Sequence, residues 1–177
     1  MSLDLVAALD RPDLLAGPVL AALQGWSRAP EIRVAPIDPE LADTAAFCAA
    51  YDVALSASAN CVVIAAKRGG ETRYAACMVL ATTRADVNGV VRRHLDARKA
   101  SFAGMDDAVD LTGMEYGGIT PVGLPAGWPV LVDAAVVAAG LVVIGSGIRG
   151  SKLELAGEWL AELPGEVVLE GLSSPTR

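Results

Sequence analysis

Two short glycine-rich segments contain the residues of this 177-residue chain that are best suited to chemistry. The first reads Gly-Gly-Ile-Thr-Pro-Val-Gly over residues 117–123, and the second reads Gly-Ser-Gly-Ile-Arg-Gly over residues 145–150. Glycine permits a positive φ and lets a ligand approach main-chain N–H groups, while proline stiffens a turn. If the two loops meet at the ends of neighbouring strands, they form a pocket of peptide dipoles that suits a carbonyl, carboxylate or phosphate group.

Few side chains in or between these loops carry reactive groups. Thr120 could place a hydroxyl beside a ligand, although Ser and Thr in such loops more often fix turns. Ser146 has no His/Asp pattern around it, which disfavours a nucleophile. Arg149 could hold a phosphate, or form a surface ion pair. Asp133 could orient Arg149, or serve as a turn carboxylate.

Composition excludes several classes of protein. Hydrophobic residues make up 53% of the chain, which predicts one globular domain with ample core. The longest apolar stretch, residues 130–144, contains Asp133 and is shorter than the roughly 18 residues of a spanning helix, so we expect no membrane segment. The N-terminus lacks the pattern of a secretory signal, and three cysteines without a CxxC pair are expected to be reduced. We therefore predict a cytoplasmic protein, and a single His without clustered ligands predicts no metal.

The distribution of charge leaves two interpretations open. A net charge of −7 disfavours a free-standing binder of nucleic-acid backbone, and DNA in particular, because that affinity comes from neutralised phosphates. Residues 84–99, however, hold five basic and two acidic side chains, a local charge of +3. This basic stripe could seat a short piece of RNA, or it could be the solvated face of a helix.

Local patterns predict the elements that position the loops. Helices are predicted at residues 45–50, capped by Asp43, and at 87–95, 105–111 and 158–163. Strands are predicted at residues 61–66, 72–80, 130–132, 141–144 and 167–169, with a hairpin turn at 67–70. Residues 1–36, with leucines near helical spacing, are interpreted as an N-terminal extension that covers one end of the sheet or makes a dimer contact. Residues 37–172 form the domain proper, and residues 173–177 a tail. We predict an α/β (α+β) domain with a mixed, barrel-like β-sheet flanked by helices.

The loops and the residues around them follow a known series. Thr112-Gly113 comes first, followed by residues 117–123, Asp133 and residues 145–149. Over residues 40–170 this series resembles the YbaK/prolyl-tRNA-synthetase-associated family, whose members are aminoacyl-tRNA deacylases that edit in trans or form an insertion domain of prolyl-tRNA synthetase. The resemblance implies hydrolysis of the ester between an amino acid and the 3′-terminal adenosine of tRNA, without metal or cofactor. The tRNA 3′ end is then the expected partner, with an aminoacyl-tRNA synthetase as a further candidate.

The resemblance also implies which residues form the site. The residues expected to act in catalysis are Asn60, Gly117, Gly118 and Thr120. Those expected to bind the substrate are Pro121, Gly123, Asp133, Gly145, Ser146, Gly147 and Arg149. In this picture Arg149 would contact a phosphate or the adenosine, and Asp133 would orient Arg149 or the substrate ammonium group.

One departure from the family pattern separates two candidate functions. The family carries a lysine on the strand that enters the pocket, and Asn60 stands at that position here. Losing a donor to a developing oxyanion costs about a hundred- to a thousandfold in rate. Lys99 and Lys152 are candidates to supply the missing amine, whereas Lys67 is expected too far along the strand pair. From the resemblance, the chain is predicted to be a trans-editing deacylase for a mischarged small amino acid. The loss of the lysine motivates the alternative, a weak or inactive paralogue that binds aminoacyl-adenosine, a nucleotide or a synthetase.

Overall fold

The computed structural model describes residues 1–176 and contains the following elements. The strands are β1 (Val6–Ala7), β2 (Arg33–Pro36), β3 (Ala59–Arg68), β4 (Glu71–Leu80), β5 (Thr83–Ala85), β6 (Lys99–Phe102), β7 (Val130–Asp133), β8 (Leu141–Gly145), β9 (Ser151–Ala156), β10 (Glu166–Leu169) and β11 (Ser173–Pro175). The helices are α1 (Gly17–Gln24), α2 (Thr44–Tyr51), α3 (Arg92–His94), α4 (Met105–Thr112) and α5 (Ala134–Val137).

The strands form three sheets, two of which surround the site. A five-stranded sheet has the order β10-β7-β4-β3-β6, in which β7 runs parallel to β10 and to β4 and the remaining pairs are antiparallel. A four-stranded antiparallel sheet has the order β1-β2-β9-β8, and β5 pairs with β11 in a small ribbon. A parallel bridge between Ser58 and Val143 joins the start of β3 to β8. The predicted mixed α/β domain is confirmed. The sheets are not closed into a barrel, which corrects the barrel-like part of that prediction.

The long hairpin of β3 and β4 forms where local turn chemistry favours it. Gly69 and Gly70 both have positive φ, 58° and 83°, which is the conformation that a two-residue hairpin turn requires and that glycine adopts without strain. Ten residue pairs follow in register, from Arg68 opposite Glu71 to Ala59 opposite Leu80. The hairpin thereby carries Asn60 to the end of the sheet that lies beside β8.

Two helix boundaries lie where the sequence predicts them, the start of α2 and the end of α4. Asp43 accepts hydrogen bonds from the amides of Ala45 and Ala46 at the start of α2, and α4 ends at Gly113, whose φ is +66°. Asp86 likewise accepts from the amides of Gly89 and Val90, but the segment behind it starts as a π-helical turn, Val87–Val91, before α3. Within residues 1–176 no helix is long and apolar enough to cross a membrane.

Residues 1–36 are built into the second sheet. Strand β2 lies between β1 and β9, so it is an interior strand with a partner on each side. Val19 and Leu23 of α1 are fully buried in the same core as Ile144 of β8 and Leu153 of β9. At the other end, the predicted tail at 173–177 begins with β11, and Arg177 lies outside the described residues.

Candidate functional site

The two glycine loops pack against each other at backbone distance. The Gly147 amide donates a hydrogen bond of 2.7 Å to the Gly118 carbonyl, and the Glu115 amide donates one of 2.8 Å to the Gly147 carbonyl. A Cβ atom on Gly118 would lie 2.5 Å from the Ile148 backbone, and a Cβ atom on Gly145 would lie 2.4 Å from the Gly118 carbonyl oxygen. Because Gly118 and Gly145 have no side chains, the opposite loop can pack directly against them. The space beside these two glycines is therefore filled by protein and is not available to a ligand.

A cleft of about 420 Å³ opens beside this crossing. Its volume falls in the range of about 300–1,000 Å³ that is usual for small-molecule sites. Its walls come from the start of β3, the start of α2, the end of β6, both loops and β9. The lining residues that carry polar or aromatic groups are Asp43, Thr44, Asn60, Phe102, Tyr116, Arg149 and Lys152.

Asn60 enters the cleft from β3 and is tied to α2. The Thr44 hydroxyl donates a hydrogen bond of 2.6 Å to Asn60 Oδ1. This bond occupies the carbonyl end of the amide, so the NH₂ group is the end that remains available to donate. Asn60 can therefore orient a carbonyl oxygen of a ligand, but it brings no charge.

Lys152 brings the positive charge that Asn60 lacks. It lies on β9 with only 9% of its surface exposed, and its Nζ is 5.2 Å from the centroid of the Phe47 ring. Within residues 1–176 its only hydrogen bond is a long one, 3.4 Å, to the Ala42 carbonyl, although an ammonium group has three N–H donors. Burial lowers the pKa of Lys152, the nearby Cys48 and Asp43 act in the opposite direction, and the charge of Arg149 adds to the lowering. The cleft therefore contains a largely buried cation whose three donors have one protein acceptor within residues 1–176.

Arg149 ties three segments together at the rim of the cleft. Its Nη1 donates to the Tyr116 carbonyl at 3.1 Å, its Nη2 donates to the Pro39 carbonyl at 3.0 Å, and its amide donates to a Glu115 carboxylate oxygen at 2.7 Å. Gly117, with a φ of +86°, leaves room for this side chain, because a Cβ atom there would lie 2.6 Å from Nη1. Within the described residues Arg149 forms no salt bridge, so the guanidinium serves mainly as a brace.

Four of the residues predicted for the site line the cleft: Asn60, Gly117, Gly145 and Arg149. Gly118 and Gly147 lie behind it, in the loop crossing. These two glycines hold the loops in position through the hydrogen bond between them.

The remaining predicted residues lie away from the cleft for identifiable reasons. Thr120 is fully buried, and its hydroxyl has no hydrogen-bond partner within residues 1–176. Ser146 is also fully buried, and its hydroxyl is 2.6 Å from the Ser151 hydroxyl. Asp133 caps α5 by accepting from the Ala135 amide and also accepts from the Ser173 hydroxyl, so it acts as a cap and does not orient Arg149. Pro121 and Gly123 line a different hollow.

That second hollow, of about 730 Å³, is larger but chemically poorer. It lies between α1 and the loop at residues 121–129, and its walls include Trp26, Trp128 and several prolines. Its acidic side chain, Glu162, is already paired with Arg28 at 2.6 Å. An ester substrate needs oriented donors, so the cleft with Lys152 is the better candidate despite its smaller volume.

Sequence reasoning gave no site role to four of the polar or aromatic residues of the cleft: Asp43, Thr44, Phe102 and Tyr116. Asp43 was expected only as a helix cap, and Thr44 directly follows it. The two aromatic residues had no signal in the sequence, because their exposure depends on how β6 and the first glycine loop meet. Lys152 was a candidate amine, and its place in the cleft follows from the pairing of Lys152 with Gly145 across β8 and β9.

Comparisons with known proteins agree on fold and family. The family model of the aminoacyl-tRNA editing domain matches residues 38–163, and no curated protein matches the chain. Among solved structures, a candidate trans-editing enzyme for prolyl-tRNA synthetase matches with a TM-score of 0.74 and 19% identity, over 88% of this chain and 94% of that one. The hypothetical protein APE2540 also matches with a TM-score of 0.74, at 22% identity, over 86% of this chain and 99% of that one. At these identities the structures show a shared fold.

The loop crossing predicts a strong effect of a single methyl group. We expect Gly118→Ala to destabilise the protein by about 1–3 kcal/mol, because its Cβ atom would overlap the Ile148 backbone. The matched control is Gly150→Ala in the second loop, where a Cβ atom meets only Pro39 Cγ at 3.7 Å. Urea unfolding of both variants measures the difference. Equal stability of the two variants would contradict the crossing.

Proposed function

We propose that this chain, which belongs to the aminoacyl-tRNA editing domain family, hydrolyses in trans the ester between a mischarged small amino acid and the 3′-terminal adenosine of tRNA. The observation that carries the proposal is the buried Lys152 ammonium in the same cleft as Asn60. A cation with unused donors is what the developing negative charge on an ester carbonyl requires. In this proposal the positive charge is supplied by Lys152 on β9, because Asn60 stands where the family pattern has a lysine on β3.

The chemistry needs little more than placement. An aminoacyl ester is activated, so a water molecule held near its carbonyl can attack once the carbonyl oxygen is stabilised. The bond between the acyl carbon and the ribose oxygen then breaks, the leaving oxygen takes a proton that the attacking water loses, and the products are the free amino acid and the tRNA with its terminal hydroxyl restored. In the proposed reaction Lys152 Nζ donates to that oxygen, and the Asn60 NH₂ group orients the ester. Burial strengthens the electrostatic effect because it removes the water that would screen it.

The walls of the cleft set an upper limit on the size of the amino acid that can enter. Where they do not carry polar or aromatic groups, they are largely alanine and glycine: Ala42, Ala59, Ala103, Ala108, Gly117 and Gly145. Gly145 in particular cannot gain a side chain without meeting the opposite loop, so this wall is fixed by backbone. A site of fixed size selects substrates by excluding larger ones, as editing sites do.

A binding module remains the second candidate, and one contact favours it. The Thr44 hydroxyl donates a hydrogen bond to Asn60, so this position holds an uncharged, hydrogen-bonded pair where the family pattern has a lysine amine. A site with this network and an ammonium group of reduced basicity could hold aminoacyl-adenosine without turning it over. The two candidates differ in the rate of ester hydrolysis at enzyme excess.

The proposal predicts that Lys152 determines the rate. Single-turnover deacylation of a panel of mischarged tRNAs, including Ala-, Cys- and Ser-tRNA, should show hydrolysis of one or two species. Lys152→Met should lower that rate about a hundred- to a thousandfold, the usual effect of removing an oxyanion donor. Lys67→Met, at an exposed lysine in the β3–β4 turn region, is the matched control and should leave it unchanged. Hydrolysis that survives in Lys152→Met would refute the assigned role, and no hydrolysis by the wild type would favour the binding module.

The lowered pKa of Lys152 predicts opposite effects of pH on rate and stability. Protein-dependent deacylation should fall as pH rises through the pKa of Lys152, at a lower pH than an ordinary lysine would give, because the neutral amine is a weaker donor. Stability should rise over the same window, because the unfolded chain then binds more protons than the folded one. Both dependences should disappear in Lys152→Met, with rates corrected for spontaneous hydrolysis. A rate that stays flat up to the pKa of a solvated lysine would contradict the role of burial.

A further inference from the structure

We infer that Phe102 and Tyr116 form a stacking site for the unpaired nucleobases at the 3′ end of an RNA, at the mouth of the cleft. The identity of the RNA as an aminoacyl-tRNA rests on the proposed function. The stacking site itself rests on the exposure, placement and surroundings of the two aromatic rings.

The exposure of these rings is unusual for this chain. Aromatic residues make up 5% of the sequence, and the other six are buried or only partly exposed. Phe102 is 63% exposed and Tyr116 is 56% exposed, and both line the same cleft. Scattered exposed aliphatic residues need no explanation, but two exposed aromatic residues at one polar cleft indicate a binding surface.

The backbones that carry the rings are held in place. Phe102 ends β6, an edge strand of the five-stranded sheet, and its backbone pairs with Ile64 of β3. Tyr116 lies in the loop before Gly117, and its carbonyl accepts the hydrogen bond from Arg149 Nη1. Rings on fixed backbones lose little freedom when a flat ligand stacks on them, which favours binding.

Acidic side chains flank the two rings along the sequence, where they favour a neutral base over a phosphate. Asp106 and Asp107 follow Phe102 on α4, and Glu115 precedes Tyr116. These carboxylates repel a phosphate but leave a neutral base free to stack, and every base has a π face. Positive charge near the rings comes from Arg149 and Lys152, which line the same cleft. Aromatic platforms near a basic region are typical of proteins that bind single-stranded nucleic acid.

The experiment measures binding of the RNA trinucleotide CCA, without an amino acid, by isothermal titration calorimetry. Phe102→Leu and Tyr116→Leu keep an apolar side chain but remove the π face, and each should weaken binding about 10- to 100-fold, the usual effect of losing one base stack. Tyr116→Phe should bind as the wild type does. Leu141→Ala, at another strongly exposed apolar residue, is the matched control and should have no effect. Thermal melting of each variant checks that its fold is intact.

Binding of CCA that is equal in the wild type and both leucine variants, or that is undetectable in the wild type at millimolar RNA, would overturn the inference. Deacylation assays separate this failure from failure of the proposed function. If the wild type deacylates tRNA, the leucine variants should raise KM and leave kcat unchanged. If the wild type binds CCA through the two rings but hydrolyses nothing, the stacking site stands and the catalytic proposal falls.

Discussion

The rest of the site depends on the close crossing of the two glycine loops, joined by the hydrogen bond from the Gly147 amide to the Gly118 carbonyl. The crossing brings the end of β8 against the segment that follows α4. Arg149 then joins that segment, through the Tyr116 carbonyl, to the segment before α2, through the Pro39 carbonyl. A side chain on Gly118 or Gly145 would separate the loops. The glycines therefore shape the cleft from behind, and only Gly117 and Gly145 face it.

The proposed source of positive charge is the main difference between this cleft and the family pattern that its sequence resembles. In the predicted alignment Asn60 stands at the family's lysine position on β3, while Lys152 reaches the cleft from β9, in the other sheet. The two strands are brought together because β3 and β8 meet at the bridge between Ser58 and Val143, and β9 pairs with β8. A charge that serves one transition state can thus be supplied from either sheet, provided that it ends in the same cleft.

Signals that involve a few neighbouring residues predicted the local structure at those points. The Asp43 cap, the Gly69-Gly70 turn and the end of α4 at Gly113 all depend on a few neighbouring residues, and all three were found. Strand β9 was missed, as were β1, β2, β5, β6 and β11, because each is a short run whose strand conformation depends on pairing with another segment. The inward positions of Thr120 and Ser146 could not be predicted, because they result from the loop crossing between residues about 30 apart in the chain. The exposure of Phe102 and Tyr116 is a tertiary property for the same reason.

The most direct test of the account is a crystal structure of the protein with an aminoacyl-adenosine analogue whose ester is replaced by a stable amide. The account predicts that the analogue lies in the cleft, with its carbonyl oxygen within hydrogen-bond distance of Lys152 Nζ and its adenine against Phe102 or Tyr116. An analogue bound in the larger hollow beside Trp26 and Trp128, or one whose carbonyl oxygen points away from Lys152, would contradict it.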